Sequence, residues 1–267
     1  AEVNGSTTTP IKFVLPGVSA DASCDFYVVI NRNIADNITT KAKLLEELES
    51  DIASYNGTYA NVTTKAMRSG GFAMTGTVTA KIVSGTTAVT VTVKRVVAKV
   101  EIQTSMTDSF RTKYGNGCVE VKKITLSRGA EKSYLIDQTA SKYATVSSSF
   151  TSAQDAYCDK TGASKTNAYK YNNLFYINEK AAAATGSRIK VVLDAIYDAD
   201  GNLSTTADQV PLSYETELTG TTDGKMLRNG SYKLNVNLDG LTGKDMTLSI
   251  AIANWEALST QNVNVGK

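Results

Sequence analysis

A few places in the chain carry residues whose types and spacing could do chemistry. One is Asp198-Ala-Asp200-Gly-Asn202, where oxygen-bearing side chains alternate as they do at the start of a calcium loop. An EF-hand needs Gly at its sixth position and Glu at its twelfth, and neither stands there. Asp-Gly-Asn between apolar strands is ordinary hairpin-turn material, and on that reading no metal is expected. A second place is the acidic run Glu46, Glu47, Glu49 and Asp51, read as the solvated face of a helix. A third is Glu215 and Glu217 on one strand face. A glycoside hydrolase needs two carboxylates converging in a cleft, and nothing nominates these two.

The chain contains no histidine, which removes the commonest general base, transition-metal ligand and neutral-pH switch. Cys24, Cys118 and Cys158 form no CxxC pair, so zinc is not expected and at most one intramolecular disulfide can close. Cys118 with Cys158 is the expected pairing, because both fall in one expected domain. The reading is of a protein without catalytic residues, metal or cofactor.

With 267 residues, 42% of them apolar and 20% charged, the chain can bury a sizeable core in each of two ordinary domains. A net charge of +2 spread along the sequence gives no reason to expect nucleic acid as a partner. No apolar run approaches the ~20 residues that span a bilayer, and no signal peptide opens the chain. It starts at Ala1 without a methionine, and a processed or truncated product is expected.

The elements that must position these residues are mostly strands. Tyr232, Leu234, Val236 and Leu238 alternate with Lys233, Asn235, Asn237 and Asp239, the period of a half-buried strand. Met246, Leu248, Ile250 and Ile252 repeat the pattern, and Gly240 and Gly243 between them predict a hairpin. Ile11, Phe13 and Leu15 form a short strand stopped by Pro16-Gly17. Phe26, Val28 and Ile30 mark another, and Ile189 to Tyr197 reads as a strand buried on both faces. Between Thr39 and Ser54, Leu44, Leu45, Leu48 and Ile52 recur at helical spacing, with Thr39 or Thr40 as N-cap, so one amphipathic helix is expected. Thr139 to Asn173 lacks periodicity and reads as a long surface excursion.

Phase places the boundaries. Val89, Val91 and Val93 are odd-numbered, whereas Val96, Ala98, Val100 and Ile102 are even-numbered, and a one-residue shift sends side chains to the opposite face. The flip at Lys94-Arg95 is expected where the chain leaves one sandwich for the next. A similar flip at Lys122-Lys123 reads as a bulge. The expected plan is mainly β, with a helix-bearing sandwich over 1–95, a second sandwich over 96–256 and a tail over 257–267. The tail keeps an alternating segment, Gln261-Asn-Val263-Asn-Val265, with no obvious partner in its own domain. Fully extended it reaches about 36 Å, enough to supply a strand to another subunit by β-augmentation.

Taken in order, several segments resemble the FimA/Mfa-type fimbrillins, the type V pilins of Bacteroidetes. They are Phe26-Tyr-Val-Val-Ile-Asn31 before the Leu-rich helix, Gly71-Phe-Ala-Met-Thr-Gly76 and Val93-Lys-Arg-Val-Val-Ala-Lys-Val100. Leu174-Phe-Tyr-Ile-Asn-Glu-Lys180, Leu227-Arg-Asn-Gly-Ser-Tyr232 and Ile250-Ala-Ile-Ala-Asn-Trp255 complete the set. The resemblance implies two tandem transthyretin-like Greek-key β-sandwiches. It also implies a precursor lipid anchor, proteolytic maturation at Ala1, and a groove open to the C-terminal segment of a neighbouring subunit. By that resemblance Leu258, Val263 and Val265 anchor the donor strand. Ile11, Phe13, Leu15, Val89, Val91 and Val93 line the acceptor groove.

The function expected is that of a structural, non-enzymatic stalk subunit on the outer surface of a Gram-negative bacterium. Its partners would be copies of itself, anchor and tip pilins, and host or bacterial surface ligands, with the membrane touched only through the precursor's lipid. A tip adhesin or glycan-binding sandwich is the alternative, with Tyr143, Tyr157, Tyr169 and Tyr171 as the aromatic residues that would face a sugar.

Overall fold

The computed structural model describes residues 11–13, 19, 21–50, 52, 56, 71–83, 87–138, 143–144, 150–155, 169–242, 246–254 and 261–265. Its N-terminal part holds β1 (Ile11–Phe13), β2 (Ser23–Ile30), α1 (Lys41–Glu46), β3 (Leu48–Glu49), β4 (Met74–Lys81), β5 (Thr87–Val91) and β6 (Lys94–Arg95). Strand β4 runs antiparallel between β2 and β6. Val89 and Val91 of β5 are buried against Phe26 and Val28 of β2 and Val78 and Ala80 of β4, which makes the small N-terminal core.

The C-terminal part holds β7 (Val97–Met106), α2 (Asp108–Tyr114), β8 (Cys118–Gly129), β9 (Ser133–Tyr134), β10 (Phe150–Asp155) and β11 (Tyr169–Asn178). It continues with β12 (Lys190–Asp198), β13 (Gln209–Glu217), β14 (Gly230–Leu238), β15 (Met246–Asn254) and β16 (Gln261–Val265). Two four-stranded sheets, ordered β10-β8-β12-β13 and β11-β7-β14-β15, enclose the main core. Val100 and Ile102 of β7, Ile124 and Leu126 of β8, Val191 and Leu193 of β12, and Leu234 and Val236 of β14 meet there, all fully buried. The molecule is a mainly β, double-sandwich protein. Among the described residues no helix is long and apolar enough to cross a membrane.

Local rules account for several elements. The β14–β15 pair is antiparallel and in register from Gly230–Asn254 to Leu238–Met246, the hairpin the two alternating runs predict. In β8 a register shift against β12 leaves Lys122 as an extra residue between Val121 and Lys123, the bulge expected from the phase change. At the other flip, β6 pairs with β4 and β7 pairs with β11 and β14, so the chain changes sheets across Val96. Thr107 opens α2 by accepting a hydrogen bond from Phe110 N–H at 3.1 Å, while its hydroxyl donates to Asp239. Phe110, carried by this one short helix, is fully buried in the main core. Replacing Thr107 by Ala is expected to cost about 1 kcal/mol, seen as a melting temperature lower by about 2–4 °C; an unchanged melting curve would show the cap to be idle.

Other expectations are corrected. Thr40 does cap α1, its hydroxyl accepting from Lys43 N–H, but the helix stops at Glu46 and Glu47 is already extended. The reason is long-range: Leu48 and Glu49 pair with Tyr134 and Ser133, and Leu135 N–H donates to Glu47 C=O at 2.8 Å. Glu49 is therefore not on a solvated face; it is fully buried, and Arg32 approaches both it and Glu47. Asp51 lies outside the described residues. Strand β12 is buried on one face only: Val191, Leu193 and Ala195 face the core, while Val192 and Ile196 are half-exposed and Asp194 is exposed. The excursion from Thr139 contains a strand, β10, which pairs antiparallel with β8 at the edge of its sheet.

Candidate assembly groove

Strand β16 lies between β1 and β5 of the same chain. It runs parallel to β1, with Val263 opposite Ile11 and Val265 opposite Phe13. It runs antiparallel to β5, with Gln261 opposite Val91, Val263 opposite Val89 and Val265 opposite Thr87. The tail strand thus does have a partner in its own chain, on the N-terminal sandwich and not on its own. Residues directly opposite share a face of the sheet, so Ile11, Val263 and Val89 form one row across the three strands. On β5 the side chains of Val89 and Val91 are buried, whereas Ala88 and Thr90 are exposed.

Among the described residues β16 is the sole strand hydrogen-bonded to either β1 or β5. Without it, both would present free edges, rows of N–H and C=O groups with no ladder partner. Of the residues named from the sequence, Ile11, Phe13, Val89 and Val91 are brought into one sheet with Val263 and Val265. Val93 is buried just beyond the end of β5. Leu15, Leu258 and Ala1 lie outside the described residues, as do Cys158, and with it the Cys118 pairing, and Trp255.

The other chemistry-bearing residues are dispersed. Glu215 is ion-paired with Lys190, whose hydrogen bond holds the carboxyl below its usual range. Glu217 accepts from Arg128 at 2.7 Å and from the Gly186 N–H at 2.9 Å. Two carboxylates each engaged by a separate cation do not form an acid–base pair. Tyr143 is half-buried with Lys225 Nζ 6.0 Å from its ring centre, and Tyr157 lies outside the described residues. Tyr169 and Tyr171 fall on β11 by their backbone.

One junction was not legible from the sequence. Arg228, 8% exposed, donates to both oxygens of Glu179 and to the carbonyls of Tyr134 and Leu135. These carbonyls belong to the segment that pairs with β3, so the buried ion pair, itself within the C-terminal part, holds the segment through which that part meets β3. Nearby, Asn229 N–H donates to Val97 C=O, and Arg95 N–H donates to the Asn229 side chain.

These sheets define a double β-sandwich in which β16 completes a three-stranded sheet with β1 and β5. No family model matches the sequence, and no curated relative matches it. Solved structures do share the fold. A fimbrilin from Porphyromonas gingivalis W83 superposes with a TM-score of 0.52 at 16% identity, over 88% of this chain and 81% of that one. An inferred cell adhesion protein from Bacteroides eggerthii gives 0.52 at 13% identity, over 91% of this chain and 78% of the other. One from Parabacteroides distasonis gives 0.52 at 10% identity, over 88% and 83%. The chain has the fimbrillin fold.

Proposed function

We propose that this chain is a pilin of the FimA/Mfa type, a non-enzymatic subunit that polymerises into surface fimbriae by strand donation. The observation that carries the reading is the placement of β16 as the sole ladder partner of β1 and β5 among the described residues. A strand held by backbone pairing is interchangeable with the same strand of another copy, because every ladder bond it makes in its own chain is available in a neighbour's. When the strand leaves one chain and enters the next, the contact is heterologous, and such contacts build open fibres instead of closed dimers. The shared fold with a fimbrilin and with inferred adhesion proteins supports the same reading.

On this proposal residues 1–95 form the accepting sandwich, 96–256 the second sandwich and 257–267 the donor. Leu258, Val263 and Val265 anchor the donor, and Ile11, Phe13, Leu15, Val89, Val91 and Val93 line the groove. A subunit able to both donate and accept belongs in a stalk. Its partners are further copies of itself together with anchor and tip pilins, on the outer surface of a Gram-negative bacterium. Maturation at Ala1 and a lipid-anchored precursor complete the proposal.

The test is electron microscopy of the purified full-length chain beside a chain ending at Ala257. Filaments from the first and none from the second, with both folded, are expected. Equal polymerisation by the shortened chain would refute donation by the tail.

A further inference from the structure

We propose that the loop between β12 and β13 is a calcium site built on Asp198, Asp200 and Asp208. Asp198 is the last residue of β12, and Gln209 across the hairpin is the first of β13, to which it pairs in register. One carboxylate oxygen from each of the three aspartates lies within 4.8 Å of the other two. Two ligands on opposite sides of a calcium ion at about 2.4 Å each stand about 4.8 Å apart, so these oxygens can share one ion.

A cluster of acids on a surface loop is common and means little alone. The second observation concerns Asp198. Its side chain is fully buried, and Oδ1 has no hydrogen-bond partner. Its other oxygen, Oδ2, accepts from Gln209 Nε2 at 3.0 Å. A buried carboxyl group with an unused oxygen is costly unless a cation or donor meets it. Among the described residues no lysine or arginine pairs with any of the three aspartates. A bound divalent cation supplies the missing positive charge.

The donors favour calcium. They are all oxygens, which excludes soft-metal preference, and they come from a loop of varied reach instead of a rigid octahedral cage. The loop is held in place before any ion arrives. Asp208 accepts the Asp200 N–H at 3.0 Å, and Asp200 accepts the Asn202 N–H at 2.7 Å. Gly201 has φ +76°, and a Cβ there would come within 2.4 Å of the Asn116 carbonyl, so glycine lets the loop lie flat on the turn before β8. The spacing is not that of an EF-hand; Asp208 is delivered from the far arm of the hairpin by folding. The ion would clamp the open end of β13, the edge strand of its sheet.

The test uses the full-length chain stripped of divalent ions, titrated with CaCl2 or MgCl2 and followed by calorimetry and thermal unfolding. Calcium is expected to bind with a Kd of roughly 10⁻⁴–10⁻³ M, the range of extracellular modules. At 10 mM it should raise the melting temperature by about 3–10 °C. The variant D200N/D208N changes one exposed and one half-exposed side chain and should fold normally, but lose both the heat and the shift. No binding up to 10 mM, or an equal response from the variant, overturns the site. An equal response to MgCl2 overturns its assignment to calcium.

Discussion

Replacing Arg228 by Met is expected to destabilise the chain by about 3–5 kcal/mol, the usual cost of stranding one member of a buried ion pair. The guanidinium is all but enclosed, and so is its partner Glu179. Removing the arginine leaves a carboxylate in the interior without its cation and two backbone carbonyls, those of Tyr134 and Leu135, without a donor. For a chain of this size the melting temperature should fall by about 6–20 °C. The double variant R228M/E179M should recover much of the loss, because an apolar pair of similar volume needs no counter-charge. Thermal unfolding of the three variants decides the matter. A single-variant loss below about 1 kcal/mol would place the pair among surface ion pairs and deny it any part in holding the segment that pairs with β3.

The second large effect concerns the groove. A chain lacking residues 258–267 loses the middle strand of a three-stranded sheet, so β1 and β5 lose the partner they share. Strand β5, which carries Val89 and Val91, becomes an edge strand whose N–H and C=O groups toward β16 have lost their ladder partners. Amide hydrogen exchange along β5 should accelerate by about 100-fold or more, the step from a cooperative sheet toward a freely opening edge. The main core between the two four-stranded sheets should keep its protection, since none of its strands pairs with β16. A synthetic peptide of residues 258–267 added in excess should restore β5 protection. That rescue in trans is the monomer-scale counterpart of polymerisation. Unchanged exchange in β5 after truncation would mean that β16 does not hold the groove together.

Much of this molecule could be read before it was seen, and the reason differs from element to element. Alternation in 232–238 and 246–252 is a local consequence of which side chains face a core, so β14, β15 and their hairpin are visible in the residues alone. The bulge at Lys122 is equally local, because a one-residue slip must reverse the phase of every later residue in the strand. The cap at Thr40 needs only a hydroxyl three residues before an N–H. The end of that helix is a different matter. Leu48 and Ile52 keep the helical period, yet Leu48 and Glu49 join a strand contributed from residues 133–134, and nothing within 39–54 announces that partner.

The composition and the two periodicities therefore determined the class: a mainly β chain with strands in known places, no histidine chemistry, and an alternating C-terminal segment able to act as a strand. Partnership was decided by tertiary structure. Which sheet accepts β16, that Phe150–Asp155 completes an edge, that Glu49 and Arg228 are buried charges, and that Asp208 returns to Asp198 and Asp200 all rest on contacts between residues far apart in the chain. A side chain's pattern records whether it is buried, which its own hydrophobicity dictates. Its neighbour across a sheet or loop is chosen by how the whole chain closes, and one short segment does not carry that information.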